Sequence, residues 1–173
     1  MRGAVFLDRD GTLNEDTGYP ARPEDLRLLP GVTTALAALQ AAGWPLIVVS
    51  NQSGVGRGLF GMAELAAMDR RLRELLAAAG VELTAAYYCP HAPEAGCACR
   101  KPAPGLLHRA AVELGIDLTR SYMVGDALRD VEAGRAAGCR TILLGVADAG
   151  GMADVVLPDL ASAATWILAH GSD

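Results

Sequence analysis

The sequence predicts an α/β fold, a Rossmann-like doubly wound parallel sheet, and two observations support this prediction. Short apolar runs alternate with helical segments along the chain, which favours parallel βαβ units. Three of the predicted strands are closed by a polar residue, namely Asp8, Ser50 and Asp126. Because doubly wound sheets bind ligands at the carboxyl ends of their strands, these three residues indicate one shared site.

The first half of the chain contains two predicted strands and two predicted helices. A short apolar run at 4–7 predicts the first strand, and PLIVVS at 45–50 is apolar on both faces, like a central parallel strand. GVTTALAALQAAG at 31–43 has helical composition and ends in glycine. The segment 62–79 places leucine and methionine at helical spacing opposite charged residues, which predicts an amphipathic helix.

The second half continues the alternation. Strands are predicted at 85–88, 121–125 and 140–145, and helices at 104–115, 131–137 and 161–169. No repeat, linker or low-complexity stretch interrupts the order. We therefore predict a single domain over residues 1–173, without a cap domain and with one cysteine-rich loop at 89–99.

Composition narrows the classes of function. The chain has 173 residues, of which 51% are hydrophobic and 20% charged, and it lacks an apolar run long enough to span a bilayer. The net charge of −5 disfavours nucleic-acid binding but allows a small anionic ligand beside a local group of basic residues. We expect a cytoplasmic monomer that binds a small molecule and neither nucleic acid nor membrane.

The motif LDRDGT carries the first indication of chemistry. Asp8 and Asp10 lie two residues apart, so in an extended chain both side chains can share one face, and Gly11 permits a sharp turn after them. The same pattern occurs in calcium loops and Asx turns. An EF-hand would need glutamate at position twelve of the loop, where this chain has Tyr19. The motif alone leaves catalysis and a plain turn open.

Two strand ends and a lysine supply the context. VVSNQSG offers the hydroxyl of Ser50 and the amide of Asn51 as donors to phosphate, and CRKP offers Lys101 as a point charge. VGDALRD adds Asp126 and, one helical turn later, Asp130. Carboxylates together with water and substrate phosphate are what Mg²⁺ prefers. The set predicts a magnesium-dependent phosphate site.

The segment YYCPHAPEAGCACRKP forms a second candidate metal centre. Three thiolates and one imidazole suit a closed tetrahedral zinc site, with the ligands Cys89, His91, Cys97 and Cys99. The alternative is three reduced cysteines in a proline- and glycine-rich loop. A structural zinc would fix this loop and aim Arg100 toward the phosphate site. Cys139, outside the loop, is predicted to be a buried thiol.

These motifs, taken together, resemble the four motifs of the haloacid-dehalogenase superfamily of phosphatases. The resemblance implies that Asp8 is the nucleophile forming an aspartyl-phosphate, and that Asp10 protonates the leaving oxygen and then activates water. It implies Mg²⁺ ligation by Asp8, the main-chain carbonyl of Asp10 and Asp126, with Asp130 orienting metal-bound water or Lys101. Phosphate contacts would come from four residues of the motifs VVSNQSG and CRKP: Ser50, Asn51 through its main chain, Gln52 and Lys101.

The cysteine loop and the stretches RPEDLRLLPG and NQSGVGRGLF resemble the subgroup that acts on heptose bisphosphate and histidinol phosphate. This resemblance implies removal of the 7-phosphate of D-glycero-D-manno-heptose 1,7-bisphosphate. Arg57 and Arg100 are the candidates for the second phosphate, because arginine can bind phosphate through two N–H groups, and the alternative is that Arg57 is an ordinary exposed loop residue. Histidinol phosphate and other sugar phosphates are alternative substrates. A phospho-receiver or a zinc-stapled binding module is the alternative from another class. Family members often carry lysine after the third-motif aspartate, where this chain has Ala127, and often have a longer cysteine loop.

Overall fold

The computed structural model describes residues 1–145 and 150–171, in which six parallel strands form one sheet. The strands are β1 (Val5–Leu7), β2 (Leu46–Asn51), β3 (Ala85–Cys89), β4 (Tyr122–Gly125), β5 (Arg140–Leu144) and β6 (Val155–Leu157). They lie in the order β3-β2-β1-β4-β5-β6, which reverses at β1, so the predicted doubly wound α/β fold is confirmed.

In the part of the chain that the structure describes, five helices cover the two faces of the sheet. They are α1 (Val32–Ala41), α2 (Met62–Ala77), α3 (Gly105–Leu114), α4 (Leu128–Ala137) and α5 (Leu160–His170). Short 3-10 turns lie at Pro23–Asp25, Pro93–Ala95 and Leu118–Arg120. Only loops and one such turn join β1 to α1, and only a loop joins β2 to α2, so neither connection holds a cap domain.

Alternation along β1 divides the core into two layers. Val5 and Leu7 pack with buried residues of α1, α2 and α5 on one face, while Phe6 packs with α3 and α4 on the other. Each of these three β1 side chains is fully buried. A three-residue strand therefore forms the centre of the sheet because both of its faces are covered by helices.

Two elements differ from the sequence predictions. The strand β6 was missed, because it is a run of only three residues at the edge of the sheet, where it pairs with β5 and leaves Val156 exposed. Helix α4 begins at Leu128, three residues before the predicted start, since the Asp130 carboxylate accepts a hydrogen bond from the main-chain N–H of Ala127 at 3.1 Å.

None of the helices in the described ranges is both long and apolar enough to cross a membrane. The expected cytoplasmic location and monomeric state stay predictions.

Candidate active site

The register of the central strands brings the three polar strand ends together. Leu7 of β1 pairs with Val48 of β2 on one side and with Val124 of β4 on the other. Asp8 follows directly, and its N–H donates to the carbonyl of Val124 at 3.0 Å. Asp8 therefore lies between the ends of β2 and β4, at the point where the strand order reverses, as the strand-end pattern predicted.

Lys101 is the positively charged residue that contacts Asp8. Its Nζ lies 2.7 Å from Oδ1 of Asp8 and 2.6 Å from Oδ1 of Asp130, and it donates to the carbonyl of Val49 at 2.8 Å. The lysine side chain is completely buried. Burial alone would lower its pKa, but the two carboxylates raise that pKa above the ordinary value, so the ammonium stays charged.

Asn51 fixes the main chain of Lys101. Its Oδ1 accepts from the Lys101 N–H at 2.9 Å, and its Nδ2 donates to the Lys101 carbonyl at 3.0 Å. The side-chain amide of Asn51 is thus engaged by Lys101 rather than offered to a phosphate. A phosphate contact from Asn51 rests on its main chain, as the family resemblance implied.

Asp126 supplies excess negative charge beside Asp8. Oxygens of Asp8, Asp126 and Asp130 lie within 4.8 Å of one another. Within the described part of the chain, Oδ1 of Asp126 is buried and has no hydrogen-bond partner. Burial and the neighbouring carboxylates raise the pKa of Asp126 to about 7. An oxygen-rich cluster with an unpartnered carboxylate oxygen fits a hard divalent cation such as Mg²⁺.

Gly11 makes room for this cluster. Its φ of +85° belongs to the left-handed region, and a Cβ there would lie 2.8 Å from the carboxyl carbon of Asp126. A side chain at position 11 would therefore push Asp126 away from Asp8. The glycine that follows the acid pair in the sequence is required both by the turn and by this close approach.

A cavity of about 190 Å³ opens above Asp8 and Asp10. Three arginines lie in its wall, Arg57, Arg100 and Arg129, and Gln52 joins them. Among the described residues, Nη1 of Arg100 is buried without a hydrogen-bond partner. Guanidinium groups around an acid-floored cavity suit a ligand that carries more than one phosphate.

Sequence reasoning missed five residues of this cavity. Asp16, Gly18 and Tyr19 follow the acid motif, Ser53 follows β2, and Arg129 lies at the start of α4. The guanidinium carbon of Arg57 lies 5.9 Å from the centroid of the Tyr19 ring. Arg129 could have been found from its position three residues after Asp126, where a helix starts beside the site.

The second candidate metal centre is also assembled. The Sγ atoms of Cys89, Cys97 and Cys99 lie 3.1–3.6 Å apart, and Nδ1 of His91 lies 3.5 Å from Cys89 Sγ and 3.2 Å from Cys99 Sγ. Sulfurs of a tetrahedral zinc site are about 3.8 Å apart, given zinc–sulfur bonds of about 2.3 Å. All three cysteines are free thiols. The four side chains fit a closed Cys₃His zinc site.

This cysteine loop supports both of the arginines that the sequence singled out. Arg100 follows Cys99 directly in the chain. The loop bearing Arg57 is attached through Gly56, whose N–H donates to the carbonyl of Pro90 at 2.8 Å. A Cβ on Gly56 would lie 2.9 Å from the carbonyl carbon of His91. The cysteine loop therefore lies behind the part of the cavity that Arg57 and Arg100 line.

Comparisons with known proteins agree with this geometry. The family model described as HAD-hyrolase-like matches residues 98–163, which include Lys101, Asp126 and Asp130. The chain belongs to the haloacid-dehalogenase superfamily of phosphatases, and it is an enzyme.

Two relatives and one solved structure are similar to this chain over most of its length. The D-glycero-D-manno-heptose-1,7-bisphosphate 7-phosphatase of Thermosynechococcus vestitus is 43% identical over 190 residues, covering 98% of this chain and 97% of the relative. The D-glycero-beta-D-manno-heptose-1,7-bisphosphate 7-phosphatase of Escherichia coli K12 is 40% identical over 95% of this chain and 87% of its own. The crystal structure of D,D-heptose 1,7-bisphosphate phosphatase from B. bronchiseptica, complexed with magnesium and phosphate, superposes with a TM-score of 0.89 at 38% identity, covering 96% and 98% of the two chains.

Proposed function

We propose that this enzyme removes the 7-phosphate of D-glycero-D-manno-heptose 1,7-bisphosphate. One observation supports a bisphosphate above all: Arg57, Arg100 and Arg129 line the cavity beside Asp8, while Lys101 is already paired with Asp8 and Asp130. One phosphate at Asp8 needs a single cationic partner and a metal. The three arginines are then available for the second phosphate and the sugar.

The phosphate to be hydrolysed would bind at the strand ends. Lys101 and the Ser50 hydroxyl would contact its oxygens, with the main chain of Asn51 and the Gln52 side chain closing the cradle. Asp8, the main-chain carbonyl of Asp10 and Asp126 would hold Mg²⁺, which would neutralise the charge that builds between the anionic nucleophile and the phosphate. The unpartnered Oδ1 of Asp126 supports this ligand set.

The reaction would proceed in two steps. An oxygen of the Asp8 carboxylate attacks phosphorus, the bond between phosphorus and the sugar oxygen breaks, and Asp10 gives its proton to that oxygen. A water molecule then attacks the phosphorus of the aspartyl-phosphate and gives a proton to Asp10. The bond between phosphorus and Asp8 breaks, inorganic phosphate leaves, and both aspartates return to their starting states.

Zinc would have a structural part in this scheme. Cys89, His91, Cys97 and Cys99 would fill its four positions, so no coordination position would remain open for water. The metal would hold the loop that leads to Arg100 and that anchors the Arg57 loop through Gly56.

Histidinol phosphate is the second candidate substrate, since the family resemblance includes it. Its ammonium and imidazole would need acidic partners beyond the reacting phosphate. The cavity offers Asp16 for that purpose. The three arginines of the cavity favour the bisphosphate.

A phosphate-release screen under multiple turnover tests the proposal. We expect kcat/KM for the heptose bisphosphate, assayed as both anomers, to exceed that for histidinol phosphate, with release dependent on added Mg²⁺ and lost with chelator. Asp8→Asn should lower kcat by about 10³-fold or more, because the nucleophile is gone. Near-wild-type release by Asp8→Asn would refute the mechanism. A stable phosphoprotein without release would favour a phospho-receiver instead.

A further inference from the structure

The carboxylate of Asp10 is held by four N–H groups. Arg9 donates to both oxygens, Nε to Oδ1 at 2.9 Å and Nη2 to Oδ2 at 3.2 Å. Asn14 donates to Oδ1 and Gln52 to Oδ2, each at 2.9 Å. A carboxylate offers about four lone-pair positions. Each of its two oxygens therefore accepts two hydrogen bonds, and the four donors fix the orientation of the carboxylate.

Arg9 differs from the two amides because it carries a positive charge, and that charge is buried. Its side chain has no exposed surface, and it does not line the cavity. Its fork grips one edge of the Asp10 carboxylate, so the plane of the guanidinium fixes the plane of the carboxylate. Burial alone would lower the pKa of this guanidinium, but the Asp10 carboxylate raises it above the ordinary value.

A tyrosine ring also contacts the Arg9 guanidinium. Its guanidinium carbon lies 5.7 Å from the centroid of the Tyr88 ring, within the range of a cation–π contact. The Tyr88 hydroxyl donates to Oδ1 of Asp69 at 2.6 Å, and Oδ2 of Asp69 accepts from Arg73 at 2.8 Å. Among the described residues, Nη1 of Arg9 has no hydrogen-bond acceptor. The tyrosine and Asp10 therefore fix the guanidinium from two sides.

The four donors divide into two kinds. For Asp10 to carry a proton, one of its oxygens must release at least one N–H donor. Asn14 and Gln52 are neutral amides, and each has a second acceptor at 3.0 Å, the carbonyl of Glu15 for Asn14 and the Ser50 hydroxyl for Gln52, so releasing Asp10 leaves no charge unpaired. Arg9 is charged and closed in by Tyr88, so giving up Asp10 would leave a buried, unpaired cation.

We propose that Arg9, backed by Tyr88, is the positioning residue that holds the Asp10 carboxylate in line for its two proton transfers, while the neutral amides yield. The inference rests on the proposed phosphatase function, and it is independent of which sugar phosphate is the substrate. Arg9 contacts the Asp10 carboxylate but does not line the cavity, so its effect should pass through Asp10 alone.

Two model substrates separate this role from a general loss of structure. An alkyl phosphate needs a proton on its leaving oxygen, whereas p-nitrophenyl phosphate releases a stable phenolate without one. Arg9→Lys keeps the charge and loses the planar fork. For the alkyl phosphate we expect kcat to fall about tenfold or more and KM to change less than about threefold, because substrate contacts remain.

With p-nitrophenyl phosphate, rapid mixing should show a different pattern. The first p-nitrophenolate per enzyme should appear near the wild-type rate, followed by slower turnover, because only the water step then needs Asp10. In an Asp10→Asn background, Arg9→Lys should cause no further loss of turnover. Tyr88→Phe should show the same pattern with a smaller loss, and it serves as the test if Arg9→Lys does not fold.

The neighbouring tyrosine supplies the matched control. Tyr87 of the same strand packs on the opposite face of the sheet, and its hydroxyl donates to Glu113 at 2.8 Å. Tyr87→Phe should leave both substrates unaffected. Equal losses in the first step for the two substrates, or an undiminished Arg9→Lys effect in the Asp10→Asn background, would overturn the inference. Failure of the proposed function would be seen separately, as wild-type enzyme that hydrolyses neither substrate or that loses nothing on Asp8→Asn.

Discussion

Asp130 and Lys101 form an ion pair, 2.6 Å between Oδ1 and Nζ, in which neither side chain is more than 1% exposed. Lys101 has Asp8 as a second carboxylate partner, and Asp130 also caps helix α4. The pair thus joins Lys101 to helix α4, which follows Asp126. Lys101 reaches the site from a loop, and Asp130 reaches it from the first turn of the helix.

Asp130→Asn should destabilise the protein and misplace the lysine. Removing one member of a buried pair costs about 3–5 kcal/mol, and because Lys101 retains Asp8 we expect about 2–3 kcal/mol in the free energy of unfolding. Urea denaturation measures this loss. Glu74→Gln is the matched control, since the Arg71–Glu74 pair is exposed and should contribute less than about 1 kcal/mol. Equal effects of the two variants would contradict the importance of the buried pair.

Cys97→Ser should remove zinc from the purified protein. We expect one zinc per wild-type chain by elemental analysis, much less than one in the variant, and a free energy of unfolding lower by about 2 kcal/mol or more, because bound metal stabilises the folded chain. Cys139→Ser keeps all four ligands and should retain the metal. Full zinc content in Cys97→Ser would exclude this residue as a ligand.

Gly56→Ala should weaken recognition of the second phosphate. The added Cβ would meet the main chain of the cysteine loop at Pro90 and His91, so the loop bearing Arg57 must shift. We expect KM for a sugar bisphosphate to rise about tenfold while KM for a monophosphate changes little, because an arginine contact to phosphate contributes on the order of 1–3 kcal/mol. Steady-state kinetics on both substrates tests this.

Gly61→Ala controls for the loss of a glycine in the same loop. A Cβ there would meet only the flexible end of the Glu64 side chain. Its KM values should match those of the wild type. A Gly56→Ala enzyme that binds the bisphosphate normally would show that the cysteine loop does not support Arg57.

Cys139 should resist alkylation in the native protein. Burial raises the pKa of its thiol to about 12. At pH 8 the thiolate fraction is then on the order of 10⁻⁴, compared with about a quarter for an unperturbed thiol, so labelling should be slowed about a thousandfold or more. Iodoacetamide treatment followed by peptide mass spectrometry measures this. Labelling should become complete in denaturant, and fast native labelling would contradict the burial.

The sequence predicted most of the fold because the central strands are apolar on both faces and the helices end at glycines. The strands around Phe6 and Val48 and the helix α2 lie within one or two residues of their predicted bounds. The edge strand β6 was missed, because its apolar run is only three residues long and its middle residue, Val156, is exposed at the edge of the sheet.

The candidate site was predictable as a set of residues but not as a set of contacts. Spacing placed Asp8 and Asp126 at strand ends, and the cysteines with His91 in one loop. Spacing could not reveal that the Asn51 amide is engaged by Lys101, or that Arg9 is buried against Tyr88. Such contacts join residues far apart in the chain, and a single sequence carries no periodicity that reports them.

The position of β1 at the centre of the sheet has a consequence for synthesis on the ribosome. The first strand made needs two neighbours, and β4 emerges more than a hundred residues after it. Until β4 is made, one edge of β1 stays open, and the N–H of Asp8 lacks its acceptor, the carbonyl of Val124. Long-range pairing of this kind folds slowly and exposes strand edges to other chains. Nascent chains that stop before residue 125 should therefore stay protease-sensitive and inactive, and should be the form that chaperones bind.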